Sequence, residues 1–306
     1  MIVVVCPGQG SQTPGFLEPW IADPEYRTTL EELGESAEVD LVKHGTVSDA
    51  DTIRDTAVAQ PLIVAAGLLT LSALFADGRR EKIAGIAGHS VGEITAAVGA
   101  DILSPADAMR FVGERGRAMA DAAALTQTGM SAVVGGAESE LLTLFDEVGV
   151  LPANYNGGGQ IVVAGEPAAL ALLAERAPRG VRVIPLQVAG AFHTHYMDSA
   201  VERLAAVAET LEPVDPTLTI WTNSDGSVVT SGDVFVELLV GQVSSPVRWD
   251  LDMEAFAAAG VTGLIEVAPA GALTGLAKRG LKGVPAVAVK TPDDLAAAFD
   301  LIDQAA

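Results

Sequence analysis

Residues 86–97 read IAGHSVGEITAA, and the reading of this stretch decides the fold. A serine, Ser90, stands between two glycines where a strand-like apolar run meets a helical pattern. Ser90-Val91-Gly92-Glu93 fits S-x-x-E, in which the serine hydroxyl accepts from a backbone N–H three residues on and Glu93 reaches back. Gly88-His89-Ser90-Val91-Gly92 equally fits G-x-S-x-G, a sharp strand-to-helix turn that exposes a nucleophilic serine at its apex. Both readings place a strand before Ser90 and a helix after it. One detail favours chemistry: a simple cap gains nothing from Gly92 in the first helical turn, where glycine weakens a helix. A crowded turn requires small neighbours.

Outward from the serine, the pattern is that of a parallel sheet wrapped by helices. The run 2–6 reads as a buried strand, followed by the glycine-rich loop PGQGSQTPG. Helical patterns cover 19–33 and 61–76, a second strand 82–87, and helices 91–100 and 105–124, the last opening on Pro105. The rhythm then changes. Strand 130–135, helix Glu138–Val148, strands 151–155 and Gln160–Gly165 joined by NGGG, helix 167–177 and strand 181–188 follow the order β-α-β-β-α-β, the ferredoxin-like unit. Alternation then resumes with strands 218–222, 263–267 and 286–289 and helices 233–239, 251–259, 273–278 and 295–302. The fold class expected is α/β: a parallel-sheet domain formed by residues 1–127 and 190–306, interrupted by a ferredoxin-like subdomain at 128–189.

The bulk properties exclude several roles. Of the 306 residues 49% are hydrophobic, enough for a large core with a smaller lobe. The formal net charge of -22 argues against nucleic acid and anionic membrane as partners, since both require basic surface. The single cysteine, Cys6, forms no internal disulfide and reads as a buried, inert thiol. No basic leader accompanies the apolar run at 2–6, so a signal peptide is not expected. The stretch PLIVAAGLLTLSALFA at 61–76 is short for a membrane span and carries Gly67, Thr70 and Ser72; it reads as a core helix. A cytoplasmic, monomeric protein without bound metal or cofactor is expected.

A serine hydroxyl needs a base, and histidine is the usual one. The chain has four. His44 lies in a polar stretch that reads as surface. His89 adjoins the serine, where its side chain points away. His193 and His195 share AGAFHTHYMD, an aperiodic segment returning from the inserted lobe, and such loops commonly carry site residues. Either of the pair fits a base that follows the serine in chain order.

These segments carry a family resemblance. PGQGSQ at 7–12, GHSVGE at 88–93, ERGRAM at 114–119, GAFHTHYM at 190–197 and EVAPAGALTGL at 266–276 resemble, in order and separation, the motifs of malonyl-CoA:acyl carrier protein transacylases and of the related acyltransferase domains of polyketide and fatty acid synthases. The resemblance spans nearly the whole chain. It implies an α/β-hydrolase-like domain carrying a ferredoxin-like insertion, and ping-pong transfer of malonyl from malonyl-CoA to the phosphopantetheine thiol of acyl carrier protein through a malonyl-serine ester. The coenzyme A thioester is then a substrate, and no cofactor is required.

Residue by residue, the resemblance makes Ser90 the nucleophile and His193, the first of the pair, its base. It replaces the usual carboxylate behind the histidine by a backbone carbonyl, at Gln242 in GQVSSPVRW; the family often carries Asn where this chain has Ser245. It places the oxyanion donors at the backbone N–H groups of Gln9 and Val91, and the substrate-carboxylate partner at Arg115. A guanidinium suits that task because its planar fork pairs both carboxylate oxygens. Phe192 in AFH resembles the malonyl-selective form, against ASH in methylmalonyl-selective domains. A contrast of one methyl is worth about 1–3 kcal/mol, a preference rather than a barrier. Carrier proteins are acidic, as is this chain, so docking needs a local basic patch. Lys278, Arg279 and Lys282 in AKRGLKG are the candidates, expected at the mouth of the site. The rival function is a serine esterase or thioesterase, which has no need of Arg115.

Overall fold

The computed structural model describes residues 1–304. The chain enters through β1 (Ile2–Cys6), every residue of which is buried. β2 (Ile83–Gly88) lies parallel beside it and ends two residues before Ser90. β3 (Gly129–Val134), β4 (Leu151–Gly157), β5 (Gln160–Gly165) and β6 (Arg182–Pro185) form a separate antiparallel sheet in the order β4-β5-β3-β6. β7 (Thr219–Trp221), β8 (Val228–Val229), β9 (Gly263–Glu266) and β10 (Ala286–Ala288) complete the first sheet, in the order β10-β9-β1-β2-β7-β8. Every pairing in this larger sheet is parallel except β7 with β8. The α/β architecture expected from the sequence is the one observed.

Both faces of the larger sheet are covered, as parallel strands require. One core joins Val4, Ile86 and Ile220 to the helices Thr56–Leu74 and Pro105–Leu125. The other joins Val3, Val5 and Trp221 to Trp249, Phe256 and Leu276. The small sheet has its own core of Val133, Val163, Leu141, Phe145 and Leu173. It is also laced to the main body: Tyr155 N donates to Val247 O at 2.8 Å and Val247 N to Ala153 O at 2.9 Å. The turn after β4 presses on the same body. A Cβ at Gly158 would fall 2.7 Å from Arg279 Cβ, and its φ of +57° is a conformation glycine adopts without strain.

Thr56–Leu74 is long and apolar enough to cross a membrane, but 83% of its most hydropathic window is buried within the fold. It is the core helix expected. Cys6 is buried as expected, and burial, with Glu266 nearby, pushes its thiol pKa up.

Several boundaries differ from the sequence expectation. The helix placed at 61–76 begins at Thr56, because Asp55 caps it by accepting from Ala57 N at 2.8 Å. Pro61 therefore sits in its second turn, where the ring removes the donor that would meet Ala57 O and crowds that carbonyl. The helix placed at 19–33 is Pro24–Ala37; Asp23 caps it and Pro24 takes the first position, where the missing N–H costs nothing. Strand 181–188 shrinks to β6, Arg182–Pro185. Helices Leu41–Thr46 and Asp198–Ala208 were not anticipated. The first places half-buried His44 on a helix, with Nδ1 3.0 Å from Ser48 Oγ.

Candidate active site

Local backbone geometry places Ser90 at the apex of a strained turn. Its φ is +53°, a left-handed conformation that a non-glycine residue adopts only when its surroundings compel it. The compulsion is visible on both sides. A Cβ at Gly88 would lie 2.0 Å from Gly92 C, and one at Gly92 would lie 2.1 Å from Cys6 O. Strand, turn and helix are packed to backbone contact. Asn223, just past β7, closes the turn: its Oδ1 accepts from Ser90 N at 2.7 Å while its Nδ2 donates to Gly88 O at 2.7 Å.

This geometry eliminates the capping-box reading. The helix is Gly92–Gly99, with Val91 at its N-cap and no side-chain cap bond. Glu93 does not reach back to Ser90. It is buried, accepts from Asn223 N at 2.8 Å and also accepts from Gln242 Nε2.

The Ser90 hydroxyl is instead 2.8 Å from His193 Nε2. His193 lies in the loop that follows β6, with φ +62°, and its own N–H donates to Val243 O at 2.9 Å. Its Nδ1 lies 2.9 Å from the carbonyl oxygen of Gln242. A carbonyl accepts only, so Nδ1 carries the proton and Nε2 is left with a lone pair facing the serine. Burial first, and then the Arg115 guanidinium, drive the pKa of His193 down to about 3. The imidazole is therefore neutral at any ordinary pH. His195, the other member of the pair, is exposed and stacks on Tyr196.

Arg115 comes from the middle of the helix Pro105–Leu125 and is only 1% exposed. Two neutral side chains hold it. Nη1 donates to Gln60 Oε1 at 2.7 Å and Nη2 to Gln242 Oε1 at 2.8 Å. Nη2 also stands 3.4 Å from Ser90 Oγ. Burial lowers the Arg115 pKa to about 10, partly offset by the nearby Glu93 carboxylate, so the group stays cationic at neutral pH. A buried cation held by amide dipoles can still take an anionic ligand. Arg117, two residues on, turns away to Glu114 and Ala37.

A cavity of about 390 Å³ opens over these groups. Gln9, Ser90, Val91, Arg115, Phe192 and His193 line its floor, and residues of the small sheet, among them Ala132, Asn156 and Val162, form the opposite wall. Among the described residues neither Gln9 N nor Val91 N donates to the protein, so both remain available at the cavity. Val91 N also lies at a helix N-terminus, where exposed N–H groups favour negative charge. His89 is half-buried on the same wall as Ser90. Its Nε2 is 2.9 Å from Asn156 Oδ1 and its ring packs edge-on against Trp249.

Of the basic cluster, only Arg279 lines this cavity. Lys278 and Lys282 are exposed beyond it. None of the three pairs with a carboxylate among the described residues.

Sequence reasoning missed Gln60, Asn223 and the side chain of Gln242. Gln60 lies inside an apolar helix, and a buried amide there is itself a signal that a polar partner faces it. Asn223 follows a short strand, within TNSD, and carries no local mark beyond that.

Comparison with known proteins follows the same lines. Residues 3–293 match the family model described as the acyl transferase domain. The malonyl CoA-acyl carrier protein transacylase of Mycobacterium tuberculosis is 47% identical over 96% of this chain and 98% of its own. A crystal structure of that organism's MCAT superposes with a TM-score of 0.93 at 46% identity, covering 96% of this chain and 98% of the other. A malonyl-transacylase solved in complex with its type II PKS acyl-carrier protein superposes with a TM-score of 0.90 at 30% identity, covering 98% of this chain and 99% of that one. The chain belongs to the acyl transferase family, among its malonyl CoA-acyl carrier protein transacylases.

Proposed function

We propose that this chain moves a malonyl group from malonyl-CoA to the phosphopantetheine thiol of acyl carrier protein, with Ser90 as the acyl carrier. Ser90 Oγ attacks the thioester carbonyl while its proton passes to His193 Nε2. The tetrahedral oxyanion meets Gln9 N–H and Val91 N–H, each donor of this kind being worth about 3 kcal/mol. Collapse expels the coenzyme A thiolate, which takes the proton back from His193. The carrier thiol then gives its proton to the same nitrogen and attacks the malonyl-Ser90 ester; collapse breaks the ester bond, the Ser90 oxygen takes the proton back from His193, and the carrier departs with the acyl group. Gln242 O holds the imidazole in the tautomer both halves need.

The observation that carries this reading is Arg115. A guanidinium buried to 1% exposure, held by two amide oxygens and 3.4 Å from the serine hydroxyl, is suited to an acyl group that ends in a carboxylate. An ester or thioester hydrolase acting on neutral acyl chains gains nothing from it. The chemistry runs on side chains and backbone dipoles alone, without a cofactor. Phe192, 7% exposed on the cavity floor, favours malonyl over its α-methyl homologue. Lys278, Arg279 and Lys282 supply the cationic rim for the acidic carrier.

Incubation with malonyl-CoA alone, followed by intact mass, tests the reading. The expected result is a stable malonyl adduct that disappears in Ser90→Ala. Free malonate without an adduct would make the chain a thioesterase instead.

A further inference from the structure

We propose that Glu93 is a positioning residue for malonyl recognition: its carboxylate fixes which way the Gln242 amide faces, and through that amide it sets the Arg115 guanidinium. The inference rests on the reading of Arg115 given above and adds a residue to it.

The argument is one of donors and acceptors. Gln242 has one NH₂ and one carbonyl oxygen, and exchanging them barely changes its shape. Its surroundings are not so symmetric. Oε1 accepts from Arg115 Nη2 at 2.8 Å, whereas Nε2 donates to Ser90 O at 3.2 Å and to Glu93 Oε2. Were the amide to turn over, its NH₂ would face the guanidinium, donor against donor. Ser90 O alone offers a weak, long contact against that exchange. The stronger restraint is Glu93, an acceptor that no donor-only arrangement replaces.

Glu93 is itself held in place. Its Oε1 accepts the backbone N–H of Asn223 at 2.8 Å, and a backbone donor cannot reverse. The other oxygen is therefore committed to Gln242. Asp252 is tied to Asn223 Nδ2 at 2.8 Å, and burial, followed by the charge of Glu93, raises its pKa; burial also lifts the pKa of Glu93 to about 7, against the pull of its hydrogen-bond donors and of Arg115. A separate cavity, which shares no lining residue with the acyl pocket, reaches Glu93, Gln242 and Asn223. Glu93 thus stands behind the catalytic groups and has no place on the substrate cavity. It acts on substrate only through Gln242 and Arg115.

The isosteric change Glu93→Gln makes the test. The oxygen of the new amide must stay with Asn223 N–H, so its NH₂ points at Gln242. Gln242 then turns its oxygen toward residue 93 and its NH₂ toward Arg115. The guanidinium loses one of its two amide acceptors and Ser90 O its long contact with Gln242 Nε2, while the Ser90 Oγ–His193 Nε2 and His193 Nδ1–Gln242 O contacts remain. Two rates separate these effects: Ser90 acylation by malonyl-CoA, and Ser90 inactivation by phenylmethanesulfonyl fluoride, a reagent with no carboxylate.

In E93Q the KM for malonyl-CoA is expected to rise about tenfold or more, with kcat and the sulfonyl fluoride rate held within about threefold. E93D, which keeps two acceptor oxygens, should recover most of the loss. An unchanged malonyl-CoA KM in E93Q overturns the proposal, and so does an equal fall in both rates, the mark of a merely structural role. Should E93Q not fold, E93A, which removes the acceptor altogether, carries the test: a malonyl-CoA KM raised at least about threefold with an unchanged sulfonyl fluoride rate supports the proposal, and a KM equal to that of wild type overturns it. Wild type that forms no malonyl adduct defeats the reading of Arg115 whatever Glu93 does. Wild type that forms it, beside an E93Q indifferent to malonyl-CoA, defeats only the role of Glu93.

Discussion

The cavity has two walls of different construction. The wall built by the large sheet is a lattice of hydrogen bonds: Ser90 to His193, His193 to Gln242 O, Gln242 to Arg115, Arg115 to Gln60, and Asn223 to the turn itself. The wall built by the small sheet and the segment after it offers mainly apolar surface, with Met130, Ala132 and Val162 of the sheet and Leu186 and Val188 beyond β6 lining the cavity around a few amides. The first wall ties chemistry to rigid elements, including the C-terminal end of an interior parallel strand, a helix N-terminus and a mid-helix arginine. The second shapes the space. Function therefore concentrates on one side, and substitutions on the two sides should differ in kind.

The largest expected effect tests whether Arg115 reads charge. Arg115→Ala should lower kcat/KM for malonyl-CoA about 100-fold or more, while Ser90 inactivation by the neutral sulfonyl fluoride stays within a few-fold. A parallel fall in both would place Arg115 in the elbow's architecture rather than in recognition.

The next concerns His193. An ordinary histidine is half protonated near pH 6.5, and at pH 5 about thirtyfold less of it is available as base. Burial and Arg115 lower this one to about 3, so the neutral, base-competent form persists through that window. Sulfonyl fluoride inactivation of Ser90 should stay flat from pH 8 to about 5. An acid limb centred near 6.5 would contradict the buried, cation-flanked site. The same shift costs stability in acid. The unfolded chain binds a proton below about 6.5 that folded His193 refuses, so this contribution is full above that pH and shrinks as the pH falls toward 3.

Phe192→Ser should raise the ratio of methylmalonyl to malonyl acylation about tenfold, the scale of one methyl in a shaped pocket. An unchanged ratio would move acyl selectivity to the small-sheet wall. The smallest effect is expected at the rim. Reversing Lys278, Arg279 and Lys282 to glutamate should slow transfer to carrier protein a few-fold at low salt and leave self-acylation by malonyl-CoA intact. Equal loss of both rates would remove these residues from docking.

The same contrast explains what could be read from the sequence. The elbow was legible because its requirement is local: glycine on both sides of one serine, between an apolar run and a helix. The β-α-β-β-α-β order was legible because periodicity and turns mark each element, and the antiparallel sheet spans Gly129–Pro185. Helix Asp198–Ala208 was hidden behind the aperiodic loop that carries His193. Pro61 masked the true start of its helix, since a proline near a helix start ordinarily marks the first turn. Glu93 looked like half of a capping box because its spacing from Ser90 is local, whereas its actual partners, Asn223 and Gln242, are distant in the chain. Gln60, Asn223 and the Gln242 side chain owe their roles to tertiary placement alone.

The two amide oxygens around Arg115 have one further consequence. They solvate the cation without neutralising it, so the empty enzyme keeps an attraction for any small oxyanion that fits above Ser90. Sulfate or free malonate in an assay buffer should therefore compete with the acyl donor, and apparent affinities will vary with the choice of salt as well as with its concentration.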